Sequence, residues 1–252
     1  MEALARLGCR VCRGPVLGGL ALCFQCDLAR SQAGGLLADV VVPIEYAIKG
    51  GQLADDLRRY KSERADAADA ARRLRAMLTG FLRDHGPCVW RAAAMSARAC
   101  TVAVVPSGQG RPGVHPLLDL VRPCVNLPAT TLVPGQREAA HRRGVSVGWL
   151  RVSGRLAARD VLLIDDTWVS GGSAQSAAAA LKRAGAAQVA IVVLGRHLDP
   201  GDPRSAGLLR ALRSAPPPSG TCGLANCVAR TTPRAVSRRG LSSLRPDPGS
   251  PG

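Results

Sequence analysis

Residues 161–194 constrain the fold more than any other part of the chain. Residues 161–164 (VLLI) are a short apolar run and read as a buried strand. Residues 165–172 (DDTWVSGG) read as a loop, residues 173–184 as an Ala-rich helix closed by Gly185, and residues 188–194 as the next strand. Strand, loop, helix and strand within about 30 residues form a βαβ unit, whose two strands run the same way and so need a parallel sheet. The expected fold class is therefore α/β.

The remaining segments fit around that unit. Residues 40–48 and 101–105 read as strands. Residues 53–60 and 65–82 read as helices, the second stopped by Gly86 and Pro87. Residues 117–121 read as a short helix, residues 123–134 as a proline-broken stretch with room for one strand, and residues 136–144 as a basic surface loop. A further strand is expected over residues 145–152, with Trp149 on one face, and a helical turn over residues 208–212. From Pro216 the chain is rich in Pro, Ser, Gly and Arg, which leaves little apolar surface to bury. The expected organisation is a Cys-rich module over residues 1–32, an α/β domain over residues 40–200 and a disordered, removable basic tail over residues 215–252.

Composition narrows the class. The chain has 252 residues and a net charge of +16, and it is poor in aromatic residues. Basic residues spread along it without aromatic interleaving argue against a stacking platform for single strands, but they suit a polyanionic partner such as a phosphorylated ligand or DNA. No stretch approaches the roughly 20 apolar residues of a membrane span. Cys9, Arg10, Cys12 and Arg13 interrupt any apolar run near the N-terminus, so no signal peptide and a cytoplasmic location are expected.

The acidic pair and the glycines suggest a chemistry. In an open parallel sheet, ligands bind beyond the C-terminal ends of the strands, which is where Asp165 and Asp166 would emerge. Ser170, Gly171, Gly172 and Ser173 then form a small loop whose backbone N–H groups can approach an anion closely. The helix that follows adds its positive end. A phosphate in the loop beside a polyol on the carboxylates fits the set. A branched side chain at Gly171 is expected to block the phosphate and leave the fold intact. No Lys follows Gly172, so the loop is not of the Walker A kind.

The other strong pattern lies in the cysteines. Cys9-x-x-Cys12 and Cys23-x-x-Cys26 offer two thiol pairs, with Gly18 and Gly19 allowing a hairpin between them. Four soft ligands suit a structural Zn²⁺, ahead of paired redox dithiols or an iron–sulfur cluster. Cys88, Cys100 and Cys124 read as small core residues. Cys222 and Cys227 read as half of a metal site without a second pair nearby, hence as free thiols. His115 and His141 are weak phosphate candidates, and His85 and His197 carry no pattern. Gly108-x-Gly-x-x-Gly113 formally matches a dinucleotide fingerprint, but Pro112 would fall inside the tight turn.

The block from residue 161 to residue 173 resembles the 5-phosphoribosyl-1-pyrophosphate (PRPP) motif of the type I phosphoribosyltransferases. A four-cysteine ribbon ahead of that motif is similar to the ComF-like competence family, also described as amidophosphoribosyltransferase-like. Residues 46–60 followed by Lys61, the basic residues 136–143, and Trp168 agree with that family. The resemblance implies a phosphoribosyltransferase-type domain in which Asp165 and Asp166 contact ribose hydroxyls and act at the catalytic centre. Thr167 and residues 170–173 would hold the 5′-phosphate. It further implies a pyrophosphate loop at Ser107, Gly108 and Arg111, and a flexible loop in which Arg137, Arg142 and Arg143 cover the diphosphate. Mg²⁺ would arrive with PRPP. Two departures stand out. Val169 replaces an Asp that contacts the base in purine salvage, and the Phe and Asn of an Arg-Gly-Phe-Asn-type stretch are missing after residue 106.

Two functions remain open at this point. One is transfer of the phosphoribosyl group from PRPP to an acceptor, with pyrophosphate release. The other is a non-catalytic PRPP- or nucleotide-binding protein that meets DNA or a competence-protein partner in DNA uptake.

Overall fold

The computed structural model describes residues 7–106, 115–135, 144–214, 222–224 and 227, apart from the side chain of Arg98. Its centre is a four-stranded, all-parallel sheet in the order β1-β6-β5-β2. The strands are β1 (Val40–Ile48), β2 (Cys100–Val104), β5 (Asp160–Trp168) and β6 (Gln188–Leu198). Thr131–Pro134 (β3) and Leu150–Ser153 (β4) form a separate antiparallel hairpin. The α/β class expected from the βαβ unit is the one observed. Among the described residues, no helix is long and apolar enough to cross a membrane.

Two apolar layers cover the sheet, because adjacent strand residues face opposite sides. One face carries Leu162, Ile164, Ala190 and Val192 under helices α2 (Gln52–Arg59), α3 (Ala67–Ala92) and α4 (Pro116–Val121). The other carries Val161, Leu163, Val189 and Ile191 under α5 (Gly172–Arg183), the hairpin and the cysteine module. Within that module, α1 (Phe24–Ala33) supplies Cys26. At the edge, α6 (Ala206–Ser214) packs Leu208 and Leu209 on Leu198.

The observed elements depart from expectation at four places. Helix α3 runs through Gly86 and Pro87 to Ala92 instead of ending there. Pro87 and Arg83, the residue whose helical hydrogen-bond partner Pro87 removes, are both exposed, while Phe81, His85, Cys88 and Val89 stay buried and hold the helix down. Strand β4 begins only at Leu150. The N–H groups of Val145 and Ser146 instead go to Gln32 Oε1 and Ser176 Oγ, both at 2.9 Å, which takes them out of any ladder. Strand β5 does not stop at Ile164 but continues through Trp168, because the long β6 still pairs with Thr167 and Trp168. Lastly, the few described residues beyond Ser214 pack on the domain. Cys222 is buried, and Leu224 and Cys227 pack on the same core as Leu74, Leu78 and Val89.

Candidate functional site

Three features build the site at the C-terminal edge of the sheet. The first is strand stagger. β2 ends at Val104, opposite Ile164, whereas β5 runs on for four more residues paired with β6. Asp165, Asp166 and Thr167 therefore sit on a strand held from one side, next to the place where the neighbouring strand has stopped.

Asp165 and Asp166 point to opposite faces. Asp165 is buried on the α5 side and accepts a hydrogen bond from the Asp166 N–H at 2.9 Å. Burial, and then the Asp166 charge, push its carboxyl up to about 8. On the other face, Asp166 accepts a hydrogen bond from the Tyr60 hydroxyl and pairs with the Lys61 ammonium. Tyr60 and Lys61 follow α2 directly, and α2 is locked to α3 by Asp56. The Asp56 carboxylate accepts from Arg73 Nη2 at 2.6 Å, Arg73 Nε at 2.9 Å and Gln52 Nε2 at 2.9 Å. The Arg73 guanidinium holds the Asp56 carboxyl below the usual carboxylate range. A rigid helix corner thus delivers two groups to Asp166 that no local motif announces.

The second feature is the loop. Ser170 is half-buried and its Oγ accepts from the Gly172 N–H at 3.4 Å. Gly171 is the N-cap of α5 with φ 82°, a left-handed conformation that glycine adopts without strain. It also lies on the buried Trp168 ring. A Cβ there would sit 2.1 Å from Trp168 Cζ2. The sequence expectation that a branched residue at Gly171 would leave the fold intact is therefore overturned, because the loop rests directly on core. Ser173 is half-buried in the first turn of α5, where backbone N–H groups lack partners within the helix.

The third feature is an adjoining cleft of about 580 Å³ lined by Lys49, Arg58, Lys61, Thr167, His197 and Asp199. Its volume lies in the range of small-molecule sites, and its cations make it suited to an anion. Lys49 pairs with Asp199 at 3.0 Å. Burial, and then the Arg196 charge, lower the His197 pKa, so that ring is a neutral donor or acceptor at neutral pH.

The raised Asp165 carboxyl has a consequence for stability. An unfolded Asp releases its proton near 4, whereas the folded group keeps it to about 8. The folded state binds the extra proton between those values, so stability is full below pH 4 as far as this group is concerned and is lost as pH rises through 8. The melting temperature of the parent should fall between pH 5.5 and pH 8.5 more than that of Asp165→Asn. Equal slopes in the two proteins would show that Asp165 is ionised in the folded state.

The cysteine module packs against the back of the loop. The Sγ atoms of Cys9, Cys12, Cys23 and Cys26 lie within 4.8 Å of one another, with Cys12 and Cys23 3.7 Å apart. The Gly14 N–H donates to Cys12 Sγ at 3.4 Å. Four soft donors at this spacing could hold a metal ion. Gly14 matters for a second reason: a Cβ there would lie 1.9 Å from Nη2 of Arg196. Arg196 is buried, and its Nη1 donates to the carbonyls of Trp168 at 2.9 Å and His197 at 2.7 Å. The module is thus connected to the end of β5 through one guanidinium.

Of the residues singled out from sequence, the structure brings the four N-terminal cysteines together and places Asp165 through Ser173 on one run, from the end of β5 through a short turn into the start of α5. Ser107, Gly108, Arg111, Arg137, Arg142 and Arg143 lie outside the described residues. Tyr60, Lys61, Lys49, Arg58, His85 and Cys88 carry no site signal of their own in the sequence, where Cys222 and Cys227 read as half of a metal site with no second pair nearby.

No family model matches the chain, and no curated protein does. Among solved structures, it is similar to phosphoribosylpyrophosphate synthetase from Mycobacterium smegmatis, at 19% identity and a TM-score of 0.33, over 53% of this chain. That match spans 36% of the synthetase, about a third of its length. It is also similar to purine phosphoribosyltransferase from Pyrococcus horikoshii Ot3, at 15% identity and a TM-score of 0.32, over 53% of this chain and 89% of that one.

Proposed function

We propose that this chain is a phosphoribosyltransferase-type protein that binds PRPP, or the ribose 5-phosphate part of a nucleotide, where β5 meets α5. One observation carries the reading. A left-handed glycine caps α5 immediately after a strand-borne acidic pair, at the C-terminal edge of a parallel sheet. The helix N-terminus would take the phosphate through its N–H groups and through Ser170 and Ser173. Asp166 would hold ribose hydroxyls, with Lys61 moving from the carboxylate toward the ligand's anionic groups. Mg²⁺ carried in with PRPP would neutralise its diphosphate. Burial and the Asp166 charge favour the protonated form of Asp165, which is suited to donate one hydrogen bond. The four N-terminal thiols would hold a structural Zn²⁺.

Calorimetric titration with PRPP and Mg²⁺, and with nucleoside 5′-monophosphates, tests the site. Ser173→Asp is the sharpest variant. A carboxylate in the first turn of a helix is favourable for folding, so the melting temperature should hold. The same charge should repel phosphate and reduce affinity beyond detection. Asp166→Asn should weaken binding about ten- to a hundred-fold, the loss of one charge-assisted hydrogen bond. Parent-like binding by Ser173→Asp would move the phosphate elsewhere, and a parent that binds no PRPP at millimolar ligand would leave only the fold.

A second reading, a binding module without catalysis, is favoured by the cysteine module's surface. Leu17, Leu20 and Phe24 are more than half exposed there, an apolar group suited to a macromolecular partner of the kind the ComF-like resemblance implies. Pyrophosphate release from PRPP in the presence of candidate acceptors separates the readings. Release supports transfer, and binding without release supports the module.

A further inference from the structure

A second group of metal-ligating side chains lies on the opposite face of the sheet from the N-terminal thiols. His85 and Cys88 stand one turn apart on α3 and so share a face. The short C-terminal segment brings Cys222 and Cys227 over them. The four ligand atoms lie within 4.8 Å of one another. Cys88 Sγ is 3.9 Å from Cys227 Sγ, and Cys227 Sγ is 3.5 Å from His85 Nδ1.

These distances can be compared with the geometry of zinc. Zn–S bonds of about 2.3 Å and Zn–N bonds of about 2.0 Å at tetrahedral angles put two sulfurs about 3.8 Å apart, and a sulfur and a nitrogen about 3.5 Å apart. The observed spacings are those of a closed tetrahedral site. They match the 3.7 Å between Cys12 and Cys23 in the N-terminal cluster. His85, Cys88 and Cys222 are all buried, among Leu, Val and Ala side chains. Three thiols and an imidazole gathered in apolar surroundings satisfy one another poorly, whereas a soft-ligand dication satisfies all four.

We propose that His85, Cys88, Cys222 and Cys227 form a second structural zinc site, which fastens the C-terminal segment to α3. The site's outer contacts fit this assignment. Arg13 Nη1 donates to the Cys222 carbonyl at 2.8 Å, bringing a positive charge beside three thiolates. Arg13 directly follows Cys12, so the residue that supports the second site is joined to a ligand of the first. The metal closes the chain between α3 and residue 222 and stabilises the packing of Cys222 and Leu224 on the core.

Zinc content of the full chain, purified under reducing conditions, tests the proposal. The parent should carry two zinc ions per chain. Cys222→Ser combined with Cys227→Ser should carry one, as should Cys9→Ser combined with Cys12→Ser. His85→Cys, which keeps a soft ligand, should retain two, whereas His85→Ala should lose occupancy. If a variant fails to fold, cobalt titration of the metal-stripped parent decides. Tetrahedral thiolate absorption growing to two equivalents supports the site. Saturation at one equivalent overturns it. One zinc per parent chain also overturns it, and an intact mass lowered by two hydrogens in protein purified without reductant then assigns two of Cys88, Cys222 and Cys227 to a disulfide.

Discussion

Ending the chain after Ser214 should lower the melting temperature by roughly 5–15 °C. The basis is the apolar surface that the removed segment covers. Cys222 is only 2% exposed, and Leu224 and Cys227 pack on the layer formed by α3 and α4. Burying such side chains contributes roughly 2–4 kcal/mol, and each kcal/mol shifts the melting point of a chain this size by about 2–4 °C. Zinc bound at the proposed second site would add to that figure by favouring the folded state alone. A control that ends after residue 230 keeps Cys227 and should melt close to the parent. Thermal denaturation of the three proteins is the measurement, and equal melting points for the parent and the shorter truncation would show that the segment contributes nothing. Composition alone points the other way, because a stretch rich in Pro, Gly and Arg rarely packs. Its two cysteines and Leu224, not its overall character, are what lie on the domain among the described residues.

The second large effect is expected from Cys9→Ser combined with Cys12→Ser. This variant should lose the N-terminal zinc and with it the fold of the cysteine module, because a module so small lacks a core of its own. The damage should not stay local. Cys9, Cys12 and Cys26 are buried in the same layer as Leu163, Trp168 and Ala177, and Gly14 lies against Arg196. Without the module, Arg196 gains water as a competitor for the Trp168 carbonyl, and the turn that carries Ser170 and Gly171 loses its support. Tryptophan emission should shift to the red, and PRPP affinity should fall at least about tenfold, more than 1.4 kcal/mol. Loss of zinc with unchanged emission and unchanged affinity would show that the module is an independent appendage.

The fold and half of the site were legible in the sequence for one physical reason: their signals are local. A strand, a turn and a helix in succession are specified by neighbours within a few residues, so the run from Val161 to the end of α5 showed both the parallel sheet and the helix N-terminus at the candidate site. Two Cys-x-x-Cys pairs announce a metal site in the same way, since each pair is set by its own turn. Even here the sequence misjudged lengths. Asp165 to Trp168 lie in β5 and not in a loop, because strand length is decided by how far β6 keeps pairing, and nothing within the strand reports it.

Only the tertiary structure decided the remainder, because those contacts join residues far apart along the chain. Tyr60 reaches Asp166 across 106 positions, and Cys227 reaches Cys88 across 139 and His85 across 142. Each partner looks ordinary in its own surroundings: Tyr60 as the end of a helix, His85 as a core histidine, Cys227 as a thiol in a polar tail. Gly171 is the same case at short range. Its need for a left-handed φ is readable from a glycine loop, but the Trp168 ring beneath it is not. Side-chain chemistry in this protein is written in the sequence, whereas the pairing of that chemistry depends on which surfaces the sheet and its two layers bring into contact.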